Sequence, residues 1–470
     1  MDNENLDSKI EQFFPDVCVH KGIAASVGLS GRVIPAFVFD WLVSRYRNSD
    51  GGVDGDGVRN FIARYLPDKK QKESLMYELT TGNQIKILDA YSVKVHPSKG
   101  DLQLRIPSLD ITGRVLESIV DENPLLLFGN VWGSGTLKWL HQKNKEDRFE
   151  VVMTAFKPMQ AANIDLSYFL DQRQHFSLIE WLDLLTRCMG YDENKYSIKQ
   201  KLLLLTRLIP LAEPRVNTIE LAPKGTGKSY IFSQLSRHAW LISGGVVTRP
   251  QLFYDMNRQQ TGIISRYDAI VLDEIQTIRL KDEEEIIGAL KGYLESGEFR
   301  VMGFHGSSDA GFVLLGNIPI EHGLPRDINY FQELPGWLNG QGSTALLDRF
   351  HGLVQGWELP RIESSSLCQS FALRADYFGE VLYALRSCQE HMAFVKDHTD
   401  SVGDLRDTRA VHRLACGFLK LLFPDIKTVS LPEFNEFCLQ PAIDLRSNIR
   451  RQMAIMDSEF SPNIAEIKLR

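Results

Sequence analysis

The spacing of hydrophobic residues changes several times along the chain, and each change predicts a different kind of structure. Residues 1–82 carry apolar side chains at helical spacing around a polar glycine loop at 49–57, which predicts a small N-terminal helical domain. Residues 83–162 contain short alternating runs separated by turn residues, as at 96–101, which predicts a small OB-like β-barrel suited to nucleic acid. Helical spacing returns in residues 163–212, which we expect to form a helical linker.

Three apolar runs further along the chain end in small or polar residues. They cover residues 216–222, 267–274 and 310–317, and the stretch that follows the first of them has helical potential. This pattern predicts a parallel α/β core over residues 213–362, and the helical pattern that follows predicts a lid over residues 363–470. Because 470 residues are too many for one hydrophobic core, we expect a multi-domain α/β protein.

Composition narrows the class of protein. No apolar run reaches the roughly 18 residues that a membrane span needs, and the acidic start lacks an export signal, so we expect a cytoplasmic protein without a membrane partner. The 6 cysteines are far apart and form no C-x-x-C pair, which is typical of reduced, mostly buried thiols. The net charge of −7 excludes a generally basic coat for nucleic acid but leaves room for a local basic lining.

A glycine-rich turn, A-P-K-G-T-G-K-S, joins the first apolar run to the next helical stretch. Such a turn can direct backbone N–H groups at phosphate oxygens, with Lys228 on the β/γ-phosphates and the Ser229 hydroxyl on Mg²⁺. Ala222 occupies the position of the usual first glycine, where a small side chain suffices. The motif predicts an ATP and Mg²⁺ site whose contacting residues are Ala222, Pro223, Lys224, Gly225, Thr226, Gly227, Lys228, Ser229 and Tyr230.

The other two apolar runs end in residues suited to phosphoryl transfer. Asp273 can hold Mg²⁺ through its water shell, and Glu274 can polarise the attacking water. Asn317 can hold that water against the γ-phosphate. A buried strand ending in an acidic turn, and an Asn-Ile-Pro turn, are the alternative interpretations. The order of these residues behind a phosphate loop favours catalysis.

Arg349 follows a short helical stretch at residues 343–351. An arginine at this point can insert into a neighbouring subunit's site, where such a charge accelerates hydrolysis by ~10³ to 10⁵. The alternative is a salt bridge to Asp348 or another local carboxylate. A trans arginine predicts a closed homo-oligomer, since each site then needs its neighbour.

The loop, the acidic strand, the asparagine strand and the Asp-Arg-Phe arginine, in this order, resemble the AAA+ ATPase core. More closely, the chain resembles the Lon-related, BrxL-like ATPases of bacterial BREX phage-defence systems. The resemblance covers most of the chain, and the segments that carry it are 13–22, 33–42, 85–95, 220–230, 242–255 and 346–360.

This resemblance implies ATP hydrolysis, a hexameric ring or double ring, association with double-stranded DNA, and contact with other defence proteins. It also implies a second nucleotide-sensing arginine near the start of a lid helix. Arg409 lies there, Arg413 competes for the role, and a solvated arginine is the alternative. Longer relatives carry a Ser-Lys peptidase, but no serine here has the required glycine-rich setting, so we do not expect protease activity.

Residues 289–309 resemble the pore hairpin of helicase-related AAA+ proteins. The resemblance implies that Lys291, Arg300 and His305 face a central channel and bind DNA, while an ordinary solvated hairpin remains the alternative. Two other functions stay open. One is a protein unfoldase, which would grip polypeptide with an aromatic side chain, and the candidates are Tyr293, Phe299 and Phe304. The other is an ATP-gated DNA scaffold with slow hydrolysis.

Overall fold

The structure is a computed structural model. It describes residues 3–22, 34–47, 53–96, 101–127, 130–141, 149–159, 164–256 and 260–470. Part of the predicted glycine loop (49–52) and part of the predicted turn (97–100) lie outside the described residues. The contacts divide the chain into a large unit and a barrel unit. The large unit comprises Met1–Phe13, Asp165–Cys368 and Phe378–Arg470, and the barrel unit comprises Phe14–Ile164 and Gln369–Tyr377.

The five segments predicted from the sequence are grouped differently by these contacts. The large unit contains the first helix together with most of the predicted linker, core and lid. The barrel unit contains most of the predicted N-terminal domain, all of the predicted barrel, and a short return segment, Gln369–Tyr377. Contacts between residues more than 300 positions apart decide this grouping, and hydrophobic spacing carries no information about them.

The described helices are mostly short. They are α1 Asn3–Phe13, α2 Ala36–Arg45, α3 Gly55–Tyr65, α4 Lys72–Thr80, α5 Glu117–Glu122, α6 Leu166–Arg173, α7 Leu178–Cys188, α8 Ile198–Leu205, α9 Ile209–Ala212, α10 Lys228–Gln234, α11 Arg249–Leu252, α12 Glu283–Ser296, α13 Gly336–Asn339, α14 Thr344–Leu347, α15 Ala375–Leu385, α16 Glu390–Asp397, α17 Leu405–Leu422, α18 Leu431–Phe434 and α19 Gln440–Met456.

The described strands form one barrel, one parallel sheet and several two-stranded ribbons. They are β1 Cys18–His20, β2 Ile85–His96, β3 Asp101–Ile106, β4 Ile111–Val115, β5 Val131–His141, β6 Phe149–Pro158, β7 Thr218–Ala222, β8 Ala239–Ser243, β9 Val246–Val247, β10 Tyr254–Asp255, β11 Gln260–Thr261, β12 Ala269–Asp273, β13 Arg279–Leu280, β14 Glu298–Val301, β15 Phe304–Ser307, β16 Gly311–Asn317, β17 Ile320–Glu321, β18 Leu324–Pro325, β19 Gly352–Gln355, β20 Phe371–Leu373, β21 Thr399–Val402 and β22 Glu466–Leu469.

The barrel unit is built on a closed barrel with the strand order β2-β3-β4-β6-β5. Neighbouring strands are antiparallel except β4 and β6, which pair in parallel. The predicted small barrel is therefore confirmed. Strand β5 was missed because Gly133 and Gly135 interrupt its alternation. A Cβ at Gly135 would lie 2.6 Å from the ring of Tyr91, so the interior aromatic requires the glycine.

The large unit contains a five-stranded parallel sheet with the order β19-β7-β16-β12-β8. This confirms the predicted parallel core, and three of its strands match the three apolar runs. Strands β7 and β12 are buried along their whole length, as expected for a parallel sheet that is covered on both faces. All strands of a parallel sheet end at the same edge, so the residues that follow β7, β12 and β16 are brought together.

The C-terminal part of the large unit is mainly helical, with α17 and α19 packed on each other and α19 packed on β19. Helix α17 is amphipathic, and its buried side chains include Val411, Leu414 and Phe418. Its predicted role as a lid stays a prediction. None of the helices in the part of the chain that the structure describes is long and apolar enough to cross a membrane.

Candidate nucleotide site

The predicted phosphate loop leaves the end of β7 at Ala222 and enters α10 at Lys228. Gly227 has φ +72°, a conformation that favours glycine, and a Cβ there would lie 2.3 Å from Ile362 Cδ1 and 2.4 Å from Tyr191 Oη. Ala222 is fully buried, and a Cβ added at Gly356 would lie 2.6 Å from its Cβ. The first position of the loop is therefore crowded, which explains why a small residue stands there.

The structure brings Lys228 and Asn317 together. The Lys228 ammonium donates a hydrogen bond to Asn317 Oδ1 at 2.7 Å, and its side chain is buried. Burial lowers the pKa of Lys228, while the charges of Glu220, Asp273 and Glu274 act in the opposite direction. The lysine thus lies among carboxylates at the edge of the sheet where the predicted catalytic residues meet.

Two carboxylates lie at the end of β12, as predicted: Asp273 is its last residue and Glu274 follows it. Asp273 is buried, and its Oδ1 accepts a hydrogen bond from the backbone N–H of Glu274 at 2.9 Å. Glu274 has φ +54°, a left-handed conformation that costs a non-glycine residue energy and is found most often at functional sites. A Cβ at Gly244, after β8, would lie 2.8 Å from Thr277 Oγ1 and 3.5 Å from Glu274 Oε2.

The donor set at this edge of the sheet fits Mg²⁺. Asp273 offers a carboxylate and Ser229, in the first turn of α10, offers a hydroxyl, and both are the hard oxygen ligands that Mg²⁺ accepts. Mg²⁺ usually retains several waters and takes its remaining ligands from substrate phosphates, so two protein oxygens are enough. The residues present are therefore consistent with a Mg²⁺-nucleotide site.

A buried ion pair beneath the loop was missed by the sequence reasoning. Arg207 is buried and contacts Glu220 through two hydrogen bonds, Nε to Oε2 at 3.0 Å and Nη2 to Oε1 at 2.7 Å. Arg207 Nη2 also donates to the backbone oxygen of Thr226 at 3.1 Å, inside the phosphate loop. Burial acts to lower the pKa of Arg207, but the charge and hydrogen bonds of Glu220, together with Tyr191 and Tyr196, raise it. The one available signal was a glutamate within an apolar strand.

Tyr191 extends this network. Its hydroxyl accepts from Arg207 Nη1 at 3.2 Å and donates to the backbone oxygen of Gly227 at 3.4 Å. Burial raises the pKa of the Tyr191 phenol to about 12, so it remains a neutral donor at physiological pH. Two consecutive carbonyl groups of the loop region, at residues 226 and 227, are thus held from below by buried side chains.

Replacing Arg207 with methionine should lower the free energy of unfolding by about 3–5 kcal/mol, because it leaves Glu220 buried without its counter-charge. The double variant Arg207→Met/Glu220→Gln should recover most of that stability. Nucleotide affinity should stay weak in both, since neither retains the donor to Thr226. Denaturant unfolding and titration with a fluorescent ATP analogue measure the two effects, and parental nucleotide affinity in the double variant would contradict this role of Arg207.

A second group of charged residues lies at the opposite edge of the sheet. A cavity of about 350 Å³, here called the arginine cavity, lies beside the starts of β7 and β19. Strand β7 runs from the cavity towards the phosphate loop, and the length of this strand places the two about 13 Å apart. The cavity contains Arg349 and Arg409, so the structure groups these two predicted residues together and away from Lys228 of the same chain. Its charged lining residues are Arg215, Glu295, Asp348, Arg349, Lys396, Arg406, Arg409 and Arg413.

The segment that carries Arg349 is fixed by the C-terminal helix. Arg446 of α19 is fully buried and donates to the backbone oxygens of Asp348 and Phe350, at 3.0 and 2.8 Å. It also pairs with the carboxylate of Asp348 at 2.7 Å, and Arg406 pairs with the other oxygen of that carboxylate at 2.8 Å. Asp348 is therefore engaged by these two arginines. Arg349 instead pairs with another local carboxylate, as the alternative interpretation allowed, with its Nε 3.4 Å from Glu295 Oε2.

Arg409 and Arg413 differ in what they contact. Arg413 donates to the backbone oxygen of Pro214 at 2.7 Å, which ties α17 to the residues before β7. Arg409 is 67% exposed, and its Nη1 lies 3.7 Å from Glu295 Oε1. Of the two candidates, Arg409 is the more exposed, at 67% against 26% for Arg413.

The predicted hairpin is present, and two of its three predicted DNA contacts lie together. Strands β14 and β15 join through Met302 and Gly303, both with positive φ, and Arg300 and His305 are opposite each other on its exposed face. Lys291 lies instead on α12, 3.5 Å from the backbone oxygen of Gly342.

The aromatic residues of the hairpin region are not exposed at its tip. Tyr293 and Phe299 are both 2% exposed, and Phe304 stacks on Tyr254 with ring centroids 3.9 Å apart. The side chain exposed at the tip is Met302.

Two family models match the chain. A model described as "Lon-like protease BrxL-like, ATPase domain" matches residues 151–466, and one described as "BREX system Lon protease-like protein BrxL N-terminal" matches residues 12–139. The first of these spans the phosphate loop, both acidic residues, Asn317, Arg349 and the helices behind them.

Two curated relatives are similar over nearly the whole chain. The "Lon-like protease BrxL" of Escherichia coli O9:H4 (strain HS) is 29% identical over 461 residues, which cover 96% of this chain and 65% of the relative. The protein of the same name from Bacillus cereus (strain H3081.97) is 28% identical over 465 residues, covering 96% of this chain and 67% of the relative. The chain thus spans about two thirds of the length of these relatives. With the N-terminal and ATPase models both matched, the chain belongs to the BrxL family of BREX systems and carries that family's ATPase domain.

Proposed function

We propose that this protein is a ring-forming ATPase that hydrolyses ATP at sites shared by neighbouring subunits and uses the energy to enclose or move along DNA in BREX-like antiphage defence. One observation carries the proposal: the phosphate loop and the arginine cavity lie at opposite edges of the same sheet. Each subunit then holds two complementary halves of a site and cannot join them by itself. Head-to-tail contact between subunits joins them, and repetition of that contact closes a ring.

The roles of the residues follow from their positions. Lys228 balances phosphate charge, Asn317 holds the attacking water, and Glu274 accepts its proton. Ser229 and Asp273 would hold Mg²⁺, which when bound would supply positive charge against the phosphate oxygens. Arg349 and Arg409 of the next subunit supply further positive charge at the γ-phosphate.

Two surfaces support DNA as the partner. The barrel has the order in which the third and fifth of its strands pair in parallel, which is the arrangement expected of an OB-like fold. On its outer face Lys94, Gln103 and Arg114 stand in one row across β2, β3 and β4, and Arg105 lies exposed in the next row. The exposed pair Arg300 and His305 on the hairpin is the second basic surface. Phosphate contacts of this kind depend on local charge, so the net charge of −7 does not oppose them.

Duplex DNA should stimulate ATP hydrolysis at low salt, and the apparent DNA affinity should fall steeply as salt rises. Replacing Arg300 with glutamine should reduce the slope of log affinity against log salt by about 1, because one phosphate contact is lost. Arg451→Gln, an exposed arginine on α19, serves as the matched control. Fluorescence anisotropy across a salt series measures both slopes. Equal slopes for the two variants would remove the hairpin from the interface, and absence of DNA binding by the parent at low salt would end the DNA proposal.

The hairpin also bears on the unfoldase alternative. That function needs an aromatic side chain presented to polypeptide, whereas Tyr293 and Phe299 are buried and Phe304 is stacked. The scaffold alternative differs from an ATPase that moves along DNA only in its slower hydrolysis. A Glu274→Gln variant that assembles on DNA and retains full defence would favour the scaffold. The expectation that this chain lacks protease activity stays a prediction.

A further inference from the structure

Glu295 makes more contacts with arginine than its position in the chain would suggest. It lies in the last turn of α12, and its carboxylate contacts three arginines of the arginine cavity. Its Oε2 is 3.4 Å from Arg349 Nε and 3.2 Å from Arg406 Nη2, and its Oε1 is 3.7 Å from Arg409 Nη1. A fourth arginine, Arg215, donates to its backbone oxygen at 2.9 Å.

Helix stability does not explain a carboxylate at this place. The C-terminal end of a helix carries partial negative charge, so an acidic side chain in the last turn is unfavourable for the helix. The last turn of α12 contains no basic residue that would compensate. The carboxylate is also about one third exposed, and ion pairs at such exposure contribute little to folding. Its contacts with the arginines therefore call for another explanation.

The charge of the cavity points to an anion. Six cationic side chains and two carboxylates line it, and one of the two carboxylates, Asp348, is engaged by Arg446 and Arg406. Among the residues that the structure describes, Glu295 is the carboxylate that pairs with both Arg349 and Arg409. Guanidinium groups bind phosphate with paired hydrogen bonds, and a phosphate offers more charge and more oxygens than one carboxylate.

Glu295 is also close to the hairpin along the chain. Gly297, with φ +80°, separates α12 from β14, and a Cβ there would lie 2.8 Å from Arg215 Nε. The backbone N–H of Ser308, just after β15, donates to the Gly297 oxygen at 2.9 Å. Two residues, 296 and 297, thus connect Glu295 to the base of the hairpin that carries Arg300 and His305.

We propose that Glu295 is a positioning residue that occupies the arginine cavity in place of phosphate and is displaced by the γ-phosphate of the ATP bound to the neighbouring subunit. Displacement frees the end of α12 and lets the hairpin move, which links the occupied nucleotide site to the DNA-facing surface. The proposal rests on the proposed function, because it requires the arginine cavity to meet a neighbour's nucleotide.

The test compares Glu295→Gln with Glu284→Gln, an exposed carboxylate in the first turn of the same helix. Without the competing charge, Glu295→Gln should form rings at a protein concentration about 5- to 10-fold lower than the parent at the same ATPγS concentration. Its hydrolysis should respond to DNA less than half as strongly, while Glu284→Gln behaves as the parent. Mass photometry and phosphate release measure these two quantities.

Several results would overturn the proposal. An unchanged or higher assembly concentration for Glu295→Gln would show that the carboxylate does not compete with phosphate. If Glu295→Gln and Glu295→Ala both melt well below the parent and fail to assemble, Glu295 is a structural residue. Arg349→Ala separates this proposal from the function on which it rests. Parental hydrolysis by Arg349→Ala would overturn the proposed shared site. If Glu295→Gln behaves as the parent, only the role of Glu295 is overturned, and the proposed shared site is unaffected.

Discussion

Replacing Lys228 with alanine should reduce ATP hydrolysis by about 10² to 10³, the loss typical for removal of one preorganised charge-stabilising donor. The buried ammonium donates a hydrogen bond to Asn317 Oδ1, and the charges of Glu220, Asp273 and Glu274 act on it, so its removal leaves negative charge where the phosphates must bind. Nucleotide affinity should fall as well. Phosphate release at saturating ATP and titration with a labelled nucleotide separate the two effects.

Lys281→Ala, at an exposed lysine after β13, is the matched control and should behave as the parent. Parental hydrolysis by Lys228→Ala would show that residues 222–229 do not hold the phosphates. Asn317→Ala should retain nucleotide binding and lose hydrolysis, because its amide is assigned to the water. A loss of binding equal to that of Lys228→Ala would instead mean that Asn317 acts only by holding the lysine.

Replacing Arg349 with alanine should lower hydrolysis by about 10³ to 10⁵ while the variant still binds ATP, because the arginine completes a site on the next subunit. Glu274→Gln should be equally inactive for a different reason. When the two variants are mixed in equal amounts, one interface in four should combine an intact Glu274 with an intact Arg349. Activity should then return to about one quarter of the parental value if the sites act independently.

Phosphate release from the mixture, measured after both variants have been shown to assemble together, decides the matter. A mixture that stays inactive despite mixed rings would argue against a shared site. Arg349 cannot restore activity at the nucleotide site of its own subunit, because Lys228 and Arg349 lie at opposite edges of the sheet.

The residues of the phosphate site were predictable because each one ends a local pattern. Asp273, Glu274 and Asn317 follow apolar runs, and Lys228 closes a glycine-rich turn, so a short stretch of sequence identifies each residue. Parallel pairing then brings the stretches together, and the order of the runs was enough to infer it. The barrel was predictable for the same reason from three of its strands.

The residues that hold the site in place were not predictable in this way. Arg207 and Glu220 are 13 positions apart, and Arg446 is 98 positions from Asp348, so no local pattern pairs them. Glu295 is one of several acidic residues on α12, and its sequence gives no reason to choose it. The position of Arg409 beside Arg349 depends on how α17 packs against the residues before β7, which follows from the tertiary structure.

Strand β1 pairs with β20, through Cys18 with Leu373, Val19 with Ala372 and His20 with Phe371. Both strands belong to the barrel unit, yet they are synthesised far apart in time. At typical synthesis rates of about 5–20 residues per second, residue 373 emerges roughly 20–70 s after residue 18. The parallel sheet of the large unit is complete in sequence by residue 355 and can form first. Strand β1 therefore has no pairing partner during the time in which the parallel sheet of the large unit can fold. The order of synthesis is thus part of how this chain reaches its native state.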